Sequence, residues 1–199
     1  SRLFKNLADI CPTILIAGNH DCNLNNKNRL DALSPIVDSL HLDNFYYLKD
    51  NGLYEIADCV FNVMSVFNDP EDYILSKNIK TNKTKIALYH GSVESATTDV
   101  GFKLPGEVTT DIFSGYDMVL LGDIHKQQYL NKQKTIAYAG SLVCQNWGEH
   151  PTNHGYIKWD AQKRKPEYRI IENDYAYVTL EVEDGQIKNK IALPKYPRM

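Results

Sequence analysis

Short apolar runs separated by polar turns dominate the chain, and this pattern predicts many strands and few helices. Three runs, at 13–17, 86–89 and 118–121, are continuous enough for strands buried on both faces. Alternating polarity predicts a hairpin of strands over 53–57 and 59–66, and shorter strands at 128–130, 135–138, 155–159, 168–171 and 175–182. Helix-like spacing predicts a helix over 28–40, with a break or a helix start near Ser34 because Pro35 interrupts it. Residues 1–12 are typical of a helix leading into a strand, 108–113 of a short helix, and Asp184-Gly185 of a turn.

Histidine-containing turns follow each of the three buried strands. These turns read Gly18-Asn19-His20-Asp21, His90-Gly91 and Gly122-Asp123-Ile124-His125. Ligands of open α/β sheets bind at the carboxyl ends of the strands. If the three strands are neighbours, we therefore expect Asn19, His20, His90, Asp123 and His125 to converge on one spot. Since residues i and i+2 of an extended strand face the same way, Asp123 and His125 should both reach it.

The residue types in this set indicate a metal site. A single histidine at a strand end is more often a hydrogen-bonded surface or core residue, so the threefold recurrence carries the hypothesis. Imidazole, carboxylate and amide oxygen are ligands of Mn²⁺, Fe²⁺ and Zn²⁺, and the lack of thiolates favours a harder ion than structural zinc. Two such ions a few ångströms apart form the usual clamp for phosphate-ester hydrolysis.

Composition narrows the class of protein without naming a function. The 199 residues are 43% hydrophobic and 24% charged, which is typical of a folded globular domain. The net charge of −3 argues against a uniformly basic DNA binder but not against a local basic strip. Cys11, Cys22, Cys59 and Cys144 form no CxxC pair, which favours reduced thiols in an intracellular compartment. No apolar run approaches the roughly 18 residues that a membrane helix needs.

The ordered motifs resemble those of the calcineurin-like metallophosphoesterases. These motifs are GNHD after one apolar strand, His-Gly after a second, and G-x-x-H after a third. Over residues 10–185 the chain is most similar to SbcD-type DNA double-strand-break repair nuclease subunits, through LLGDIHKQQ, IAYAGSLVCQNWGE and HGYIKWD. In having Asp at position 123 and an abundance of Asn and Lys, the chain resembles the copies of these nucleases in large DNA viruses and phages. The resemblance implies an α/β fold of the metallophosphoesterase αββα type, two packed mixed sheets flanked by helices, with a partial nuclease domain over 1–172 and the start of a capping region or linker over 173–199.

The resemblance also implies a role for each motif residue. Asn19 and His90 would bind the second metal, and His125 would bind the first. Asp123 stands where the family usually has the first His of Gly-His-x-His, so a carboxylate replaces an imidazole there. Two catalytic residues come from the GNHD motif. His20 would lie by the scissile phosphate and stabilise the transition state or protonate the leaving oxygen, and Asp21 is a candidate to orient His20.

One part of the family pattern does not occur in this sequence. The family begins with an Asp-x-His motif, followed by a Gly-Asp motif. The Asp of the Gly-Asp motif bridges the two metals. Neither motif lies upstream of GNHD, where the only acid is Asp9. We therefore expect an N-terminally incomplete domain that binds metal poorly and is weak or inactive as an enzyme by itself.

The function implied by the resemblance is metal-dependent hydrolysis of DNA. The protein would be an exonuclease and endonuclease of DNA repair or end processing, with two Mn²⁺ ions in the complete protein and Mg²⁺ or Fe²⁺ as alternatives. Its partners would be DNA, an SMC-like coiled-coil ATPase of the SbcC type and a second copy of itself, inside the cell and away from membranes. Two alternatives stay open. The first is a phosphoesterase acting on phosphoproteins or small phosphodiesters, and the second is a non-catalytic interaction module with an incomplete metal site.

Overall fold

The computed structural model of the chain describes residues 1–26, 29–189 and 193–198. It is a mixed α/β structure in which strands outnumber helices among these residues. The chain divides into two compact units, which we call the first and second unit. The first unit comprises Ser1–Gly91 and Thr110–Asp123, and the second comprises Ser92–Thr109 and Ile124–Met199. The boundary expected between a nuclease domain over 1–172 and a capping region or linker over 173–199 stays a prediction.

Both α-helices of the described residues lie in the first unit. Helix α1 spans Arg2–Ile10, as predicted, and the Ser1 hydroxyl caps it by accepting the Phe4 N–H at 3.5 Å. Helix α2 spans Ser34–Leu40 and has Pro35 in its first turn, so the predicted start near Ser34 is confirmed. The predicted segment before Ser34 is not helical over 29–33, and residue 28 lies outside the described residues. No helix in the described part of the chain is long and apolar enough to cross a lipid bilayer.

Six strands make up the sheets of the first unit. They are β1 Thr13–Leu15, β2 Phe45–Tyr47, β3 Gly52–Ile56, β4 Cys59–Met64, β5 Thr84–His90 and β6 Met118–Gly122. Strands β3 and β4 form the predicted antiparallel hairpin, and β4, β5 and β6 run parallel side by side. The predicted helix over 108–113 is instead a 3-10 turn, Thr110–Phe113.

Strand β1 pairs with β2 and not with the sheet of β5 and β6. The pairing is parallel and runs from Thr13 opposite Phe45 to Leu15 opposite Tyr47. The condition from which the convergence of the five residues was argued, that all three buried strands are neighbours, is therefore not met for β1. It holds for β5 and β6, whose register places His90 opposite Gly122. The carboxyl ends of these two parallel strands consequently lie side by side.

The core of the first unit is built on β4, β5 and β6. Their apolar runs are buried on both faces, as is usual for parallel strands. The most enclosed apolar side chains, each no more than 2% exposed, are Val60, Val63, Met64, Ala87, Tyr89, Phe113, Met118 and Val119. This packing makes the strand ends a rigid support for the residues that follow them.

The second unit consists of short strand pairs. Its strands are β7 Gln128–Tyr129, β8 Ile136–Tyr138, β9 Gly155–Asp160, β10 Lys165–Ile170, β11 Tyr175–Tyr177, β12 Val182–Glu183, β13 Gln186–Ile187 and β14 Tyr196–Arg198. Three pairs are antiparallel, and β11 pairs with β14 in parallel. The predicted strand over 175–182 is interrupted after Tyr177. The turn predicted at Asp184-Gly185 is confirmed, with φ of 51° and 74°.

Candidate metal centre

The GNHD motif forms a compact turn directly after β1. Asn19–Asp21 is a single 3-10 turn, and the Asp21 Oδ2 atom accepts the Gly18 N–H at 2.9 Å. The Cys22 thiol lies 3.8 Å from the carbonyl oxygens of both Gly18 and Asn19. The Asp21 carboxylate therefore bonds to the backbone of the turn, a contact that its predicted role in orienting His20 did not include. His20 is exposed at the surface of the first unit.

A buried charge holds the segment that follows the turn. The Asp31 side chain is fully buried, accepts hydrogen bonds from Ser34 Oγ at 2.7 Å and Tyr47 Oη at 3.0 Å, and pairs with Lys49 Nζ at 2.9 Å. Burial alone raises the pKa of Asp31, but the hydrogen bonds from Ser34, Lys49 and Tyr47 outweigh it and hold that pKa well below its usual range. The backbone N–H of the residue after Asp31 donates to the Asp21 carbonyl at 2.8 Å. This network anchors the carboxyl end of the GNHD turn.

Asn19, His90 and Asp123 lie together in the first unit. His90 Nε2 is 3.3 Å from Asn19 Oδ1 and 3.7 Å from Asp123 Oδ1, and Asn19 Nδ2 is 3.5 Å from Asp123 Oδ1. These separations are long for hydrogen bonds, which for nitrogen and oxygen atoms centre near 2.9 Å. Ligand atoms ~2.1 Å from one ion are about 3.0 Å apart at a right angle and about 3.4 Å apart at the tetrahedral angle. Two of the separations join potential ligand atoms, and at 3.3 and 3.7 Å they are close to the spacing of ligands around one ion. The third is measured from Asn19 Nδ2, a hydrogen-bond donor that cannot bind a cation.

Asp123 has an unusual backbone conformation. Strand β6 ends at Gly122, and the next residue, Asp123, has φ of 96°. Residues with a Cβ atom rarely adopt this backbone conformation. It costs about 1–3 kcal/mol and tends to occur at functional sites. Because the extended backbone ends before Asp123, the i and i+2 argument that paired it with His125 does not apply. The turn, and not strand alternation, brings the Asp123 carboxylate to His90.

Two glycines leave room for the His90 ring. A Cβ atom at Gly18 would lie 2.7 Å from the ring carbon Cε1 of His90, and one at Gly122 would lie 2.8 Å from its Nδ1. Real Cβ atoms do not approach other atoms this closely, so any larger residue at either position would displace the imidazole. Gly18 begins the GNHD turn, and Gly122 begins the turn after β6. The space that the His90 ring occupies explains why both turns begin with glycine.

The His90 side chain also borders an apolar cavity of about 410 Å³. Ile14, Phe61, Leu88 and Leu120 are among the side chains that line it. The His90 side chain is 23% exposed and that of Asp123 is 25% exposed. The candidate ligands therefore lie at the border between an apolar interior and solvent, where a bound cation is attracted to the carboxylate with less screening than in bulk water.

The donor set fits a divalent cation of the first transition row. One imidazole, one carboxylate and one amide oxygen suit Mn²⁺, Fe²⁺ or Zn²⁺, and the remaining coordination positions can be taken by water or substrate. Asn19 would have to present its oxygen, and the carbonyl end of its amide already lies toward His90 Nε2. These three side chains can hold one ion.

His125 lies in the second unit and has a different partner. Its Nδ1 atom is 2.7 Å from Glu149 Oε1, and its side chain is 42% exposed while that of Glu149 is 5% exposed. Its predicted role as a ligand of the first metal stays a prediction. The sequence analysis did not identify Glu149, because no local pattern links positions 125 and 149.

Cys144, Glu149 and His154 form a second cluster, buried in the second unit. Their potential ligand atoms all lie within 4.8 Å of one another. Both ring nitrogens of His154 already have partners, since Nδ1 lies 2.9 Å from Ser141 Oγ and Nε2 lies 2.6 Å from the His150 carbonyl. A metal ion here would have to break these contacts. The hydrogen-bond network accounts for the burial of the three polar side chains without an ion.

Comparison with known proteins finds a viral relative. The chain is 48% identical, over an alignment of 211 positions, to uncharacterized protein R555 of Acanthamoeba polyphaga mimivirus. The alignment covers all of this chain but only 15% of the mimivirus protein, so the chain spans a small part of its relative's length. No protein-family model matches the chain. The sequence is therefore similar to part of a much longer viral protein.

Proposed function

We propose that this chain is part of a metal-dependent phosphodiesterase that hydrolyses DNA, with Mn²⁺ bound by Asn19, His90 and Asp123. The observation that carries the proposal is the spacing of the potential ligand atoms, with His90 Nε2 lying 3.3 Å from Asn19 Oδ1 and 3.7 Å from Asp123 Oδ1. The order of the three motifs along the sequence, and their resemblance to SbcD-type nucleases, supply the choice of substrate. The proposed architecture is the αββα sandwich of the metallophosphoesterases.

The chain's own residues would bind the ion and the substrate phosphate. A bound cation supplies Lewis acidity and an activated water when it is present. The Asp123 carboxylate and the Asn19 and His90 side chains would fix the position of that ion beside the ends of β5 and β6. His20, exposed and next to Asn19 in the same turn, would donate a hydrogen bond to the phosphate or a proton to the leaving oxygen. By resemblance, His125 would bind a further ion in the complete protein.

The proposed setting follows the same resemblance. The complete protein would act on DNA ends within the cell, as a homodimer with an SMC-like coiled-coil ATPase. Its two-ion form would include residues beyond the three described above. Mg²⁺ or Fe²⁺ would be the alternative ions.

A substrate comparison tests the proposed function. The chain is incubated with end-labelled duplex and single-stranded DNA, and separately with bis(p-nitrophenyl) phosphate, each with Mn²⁺ or with a chelator. Because two motifs of the family pattern do not occur in the sequence, we expect weak Mn²⁺-dependent DNA cleavage, and we expect it to be lost in H90A. The matched control is H41N, which removes another first-unit histidine at a left-handed position that asparagine tolerates (φ of 47°).

The two alternatives predict different results in the same assay. Hydrolysis of the small diester without DNA cleavage would replace the nuclease by a phosphoesterase of other substrates. No hydrolysis of either substrate, together with no bound Mn²⁺, would contradict the proposal and favour a non-catalytic module.

A further inference from the structure

Glu149 is a buried acid for which the proposed function has no role. Its side chain is 5% exposed, and three hydrogen-bond donors surround its carboxylate. The Gln145 N–H donates to Oε2 at 2.9 Å, Asn146 Nδ2 donates to Oε1 at 2.6 Å, and His125 Nδ1 lies 2.7 Å from Oε1. A buried carboxylate needs such compensation, because removing a charge from water without partners is strongly unfavourable.

Two of these residues, Asn146 and His125, make a further contact. The Gly148 N–H donates to Asn146 Oδ1 at 2.8 Å, which leaves the amide nitrogen of Asn146 facing Glu149. The Ser141 N–H donates to the His125 carbonyl at 3.1 Å, which holds the histidine backbone in place. The Gln145 backbone N–H and the Asn146 side-chain amide are therefore both donors to the Glu149 carboxylate. The remaining contact decides where the His125 ring carries its proton.

We infer that Glu149 is a positioning residue that holds the His125 proton on Nδ1 and leaves the Nε2 lone pair free to bind a metal ion. An ionised carboxylate can only accept, so Nδ1 must be the donor in the 2.7 Å contact. The opposite tautomer would place two lone pairs against each other at that distance. The His125 side chain is 42% exposed, so solutes can reach the rest of the ring.

A carboxylate on the far ring nitrogen is the arrangement that orients metal-binding histidines. Such a partner fixes the tautomer and the ring direction and raises the basicity of the ligating nitrogen, and its loss typically weakens metal binding by about 10- to 100-fold. The ligand role of His125 rests on the proposed function, whereas its tautomer does not. The two can therefore be tested separately.

The first measurement is the tautomer of His125 in the metal-free protein. Long-range proton–nitrogen correlation of ¹⁵N-labelled chain distinguishes protonated from unprotonated ring nitrogens, and loss of a signal in H125N assigns it. We expect a proton on Nδ1 in the wild type and a shift of the proton, at least in part, to Nε2 in E149Q. The control is E167Q, which removes an exposed acid of the same unit whose partner is Arg169. A wild-type ring protonated on Nε2 would overturn the inference, even if E149Q does not fold.

The second measurement is the response of the same signals to Mn²⁺, whose paramagnetism broadens nearby protons. We expect His125 ring signals to broaden in the wild type and in E167Q, and E149Q to need about 10- to 100-fold more Mn²⁺. An unchanged Mn²⁺ requirement in E149Q would overturn the positioning role. A correct tautomer with no Mn²⁺ effect on His125 would overturn its ligand role and, with it, the first-metal part of the proposed function. A Co²⁺–thiolate absorption band that disappears in C144S would instead assign Glu149 to a metal site with Cys144, and would also overturn the inference.

Discussion

Asp123 is a candidate metal ligand with an unfavourable backbone conformation. Replacing it with glycine should therefore weaken metal binding but relieve the backbone strain of the folded state. Its φ of 96° is a conformation that glycine adopts freely and other residues do not. The substitutions D123G and D123A both delete the carboxylate. Only D123G also removes the backbone strain, so comparing the two variants separates the two effects.

The expected stability difference follows from two opposing terms. Relief of the strained φ favours D123G by about 1–3 kcal/mol, and the greater freedom of glycine in the unfolded chain opposes it by about 0.4–1 kcal/mol. D123G should therefore be more stable than D123A by about 1 kcal/mol. For a chain of 199 residues this corresponds to a difference in Tm of about 2–4 °C. The interactions of the Asp123 carboxylate with Asn19 and His90, at 3.5 and 3.7 Å, are absent from both variants and so do not enter this difference.

The expected binding difference between the two variants is zero. Each loses one of three ligands, so each should weaken Mn²⁺ binding by more than the roughly 10- to 100-fold that follows from loss of a ligand's outer hydrogen-bond partner. Thermal unfolding without metal measures the first effect, and calorimetric titration with Mn²⁺ measures the second. The control is D184G, the same substitution at another Asp with positive φ, which lies in the β12–β13 turn and should leave Mn²⁺ binding unchanged.

Two results would refute this reasoning. If D123G is no more stable than D123A, the backbone of Asp123 is not strained. If either variant binds Mn²⁺ as tightly as the wild type, the carboxylate is not a ligand.

Three further substitutions test other parts of the account. D31N should lower the free energy of unfolding by about 3 kcal/mol at neutral pH, because it removes one partner of a buried ion pair. Since the folded-state pKa of Asp31 is depressed, this contribution is present above the unfolded pKa of ~3.9 and is lost as pH falls through the folded pKa. Denaturant unfolding as a function of pH should thus show wild type and D31N converging only in strong acid, and a constant gap would contradict the assignment. G122A should displace the His90 ring and weaken Mn²⁺ binding about 10-fold or more, whereas G52A, whose Cβ would have no neighbour closer than 3.4 Å, should not; equal titrations would exclude the steric argument. H20Q should lower kcat of DNA hydrolysis by about 10²- to 10⁴-fold without changing Mn²⁺ affinity, and a parallel loss of affinity would mean that His20 binds the ion.

The sequence predicted most strands because their signals are local. Alternation over the β3–β4 hairpin and the apolar runs of β5 and β6 depend only on neighbouring residues. Strands β2 and β14 were not predicted, since each has three residues and forms only by pairing with a distant strand, β1 or β11. The overlong helix prediction before Ser34 has a specific cause. Asp31 accepts the N–H groups of Leu33 and Ser34, at 2.9 and 2.7 Å, and this cap ends the loop at that point.

The candidate site was predictable in its residues but not in its geometry. Asn19, His90 and Asp123 were identified from their positions after apolar strands, and they lie together in the first unit. The reason given for their convergence was only half correct, because β1 belongs to a different sheet from β5 and β6. Nothing local in the sequence indicates the positive φ of Asp123. The partnership of His125 with Glu149, 24 positions away, is set by the fold of the second unit.

The most direct test of the central claim is the binding of Mn²⁺ to the intact chain, measured by isothermal titration. The account predicts at least one ion per wild-type chain, loss of an ion in H90A, and unchanged binding in H41N. The same number of bound ions in H90A as in the wild type, or a wild-type chain that takes up no Mn²⁺, would contradict the assignment of Asn19, His90 and Asp123 as a metal centre.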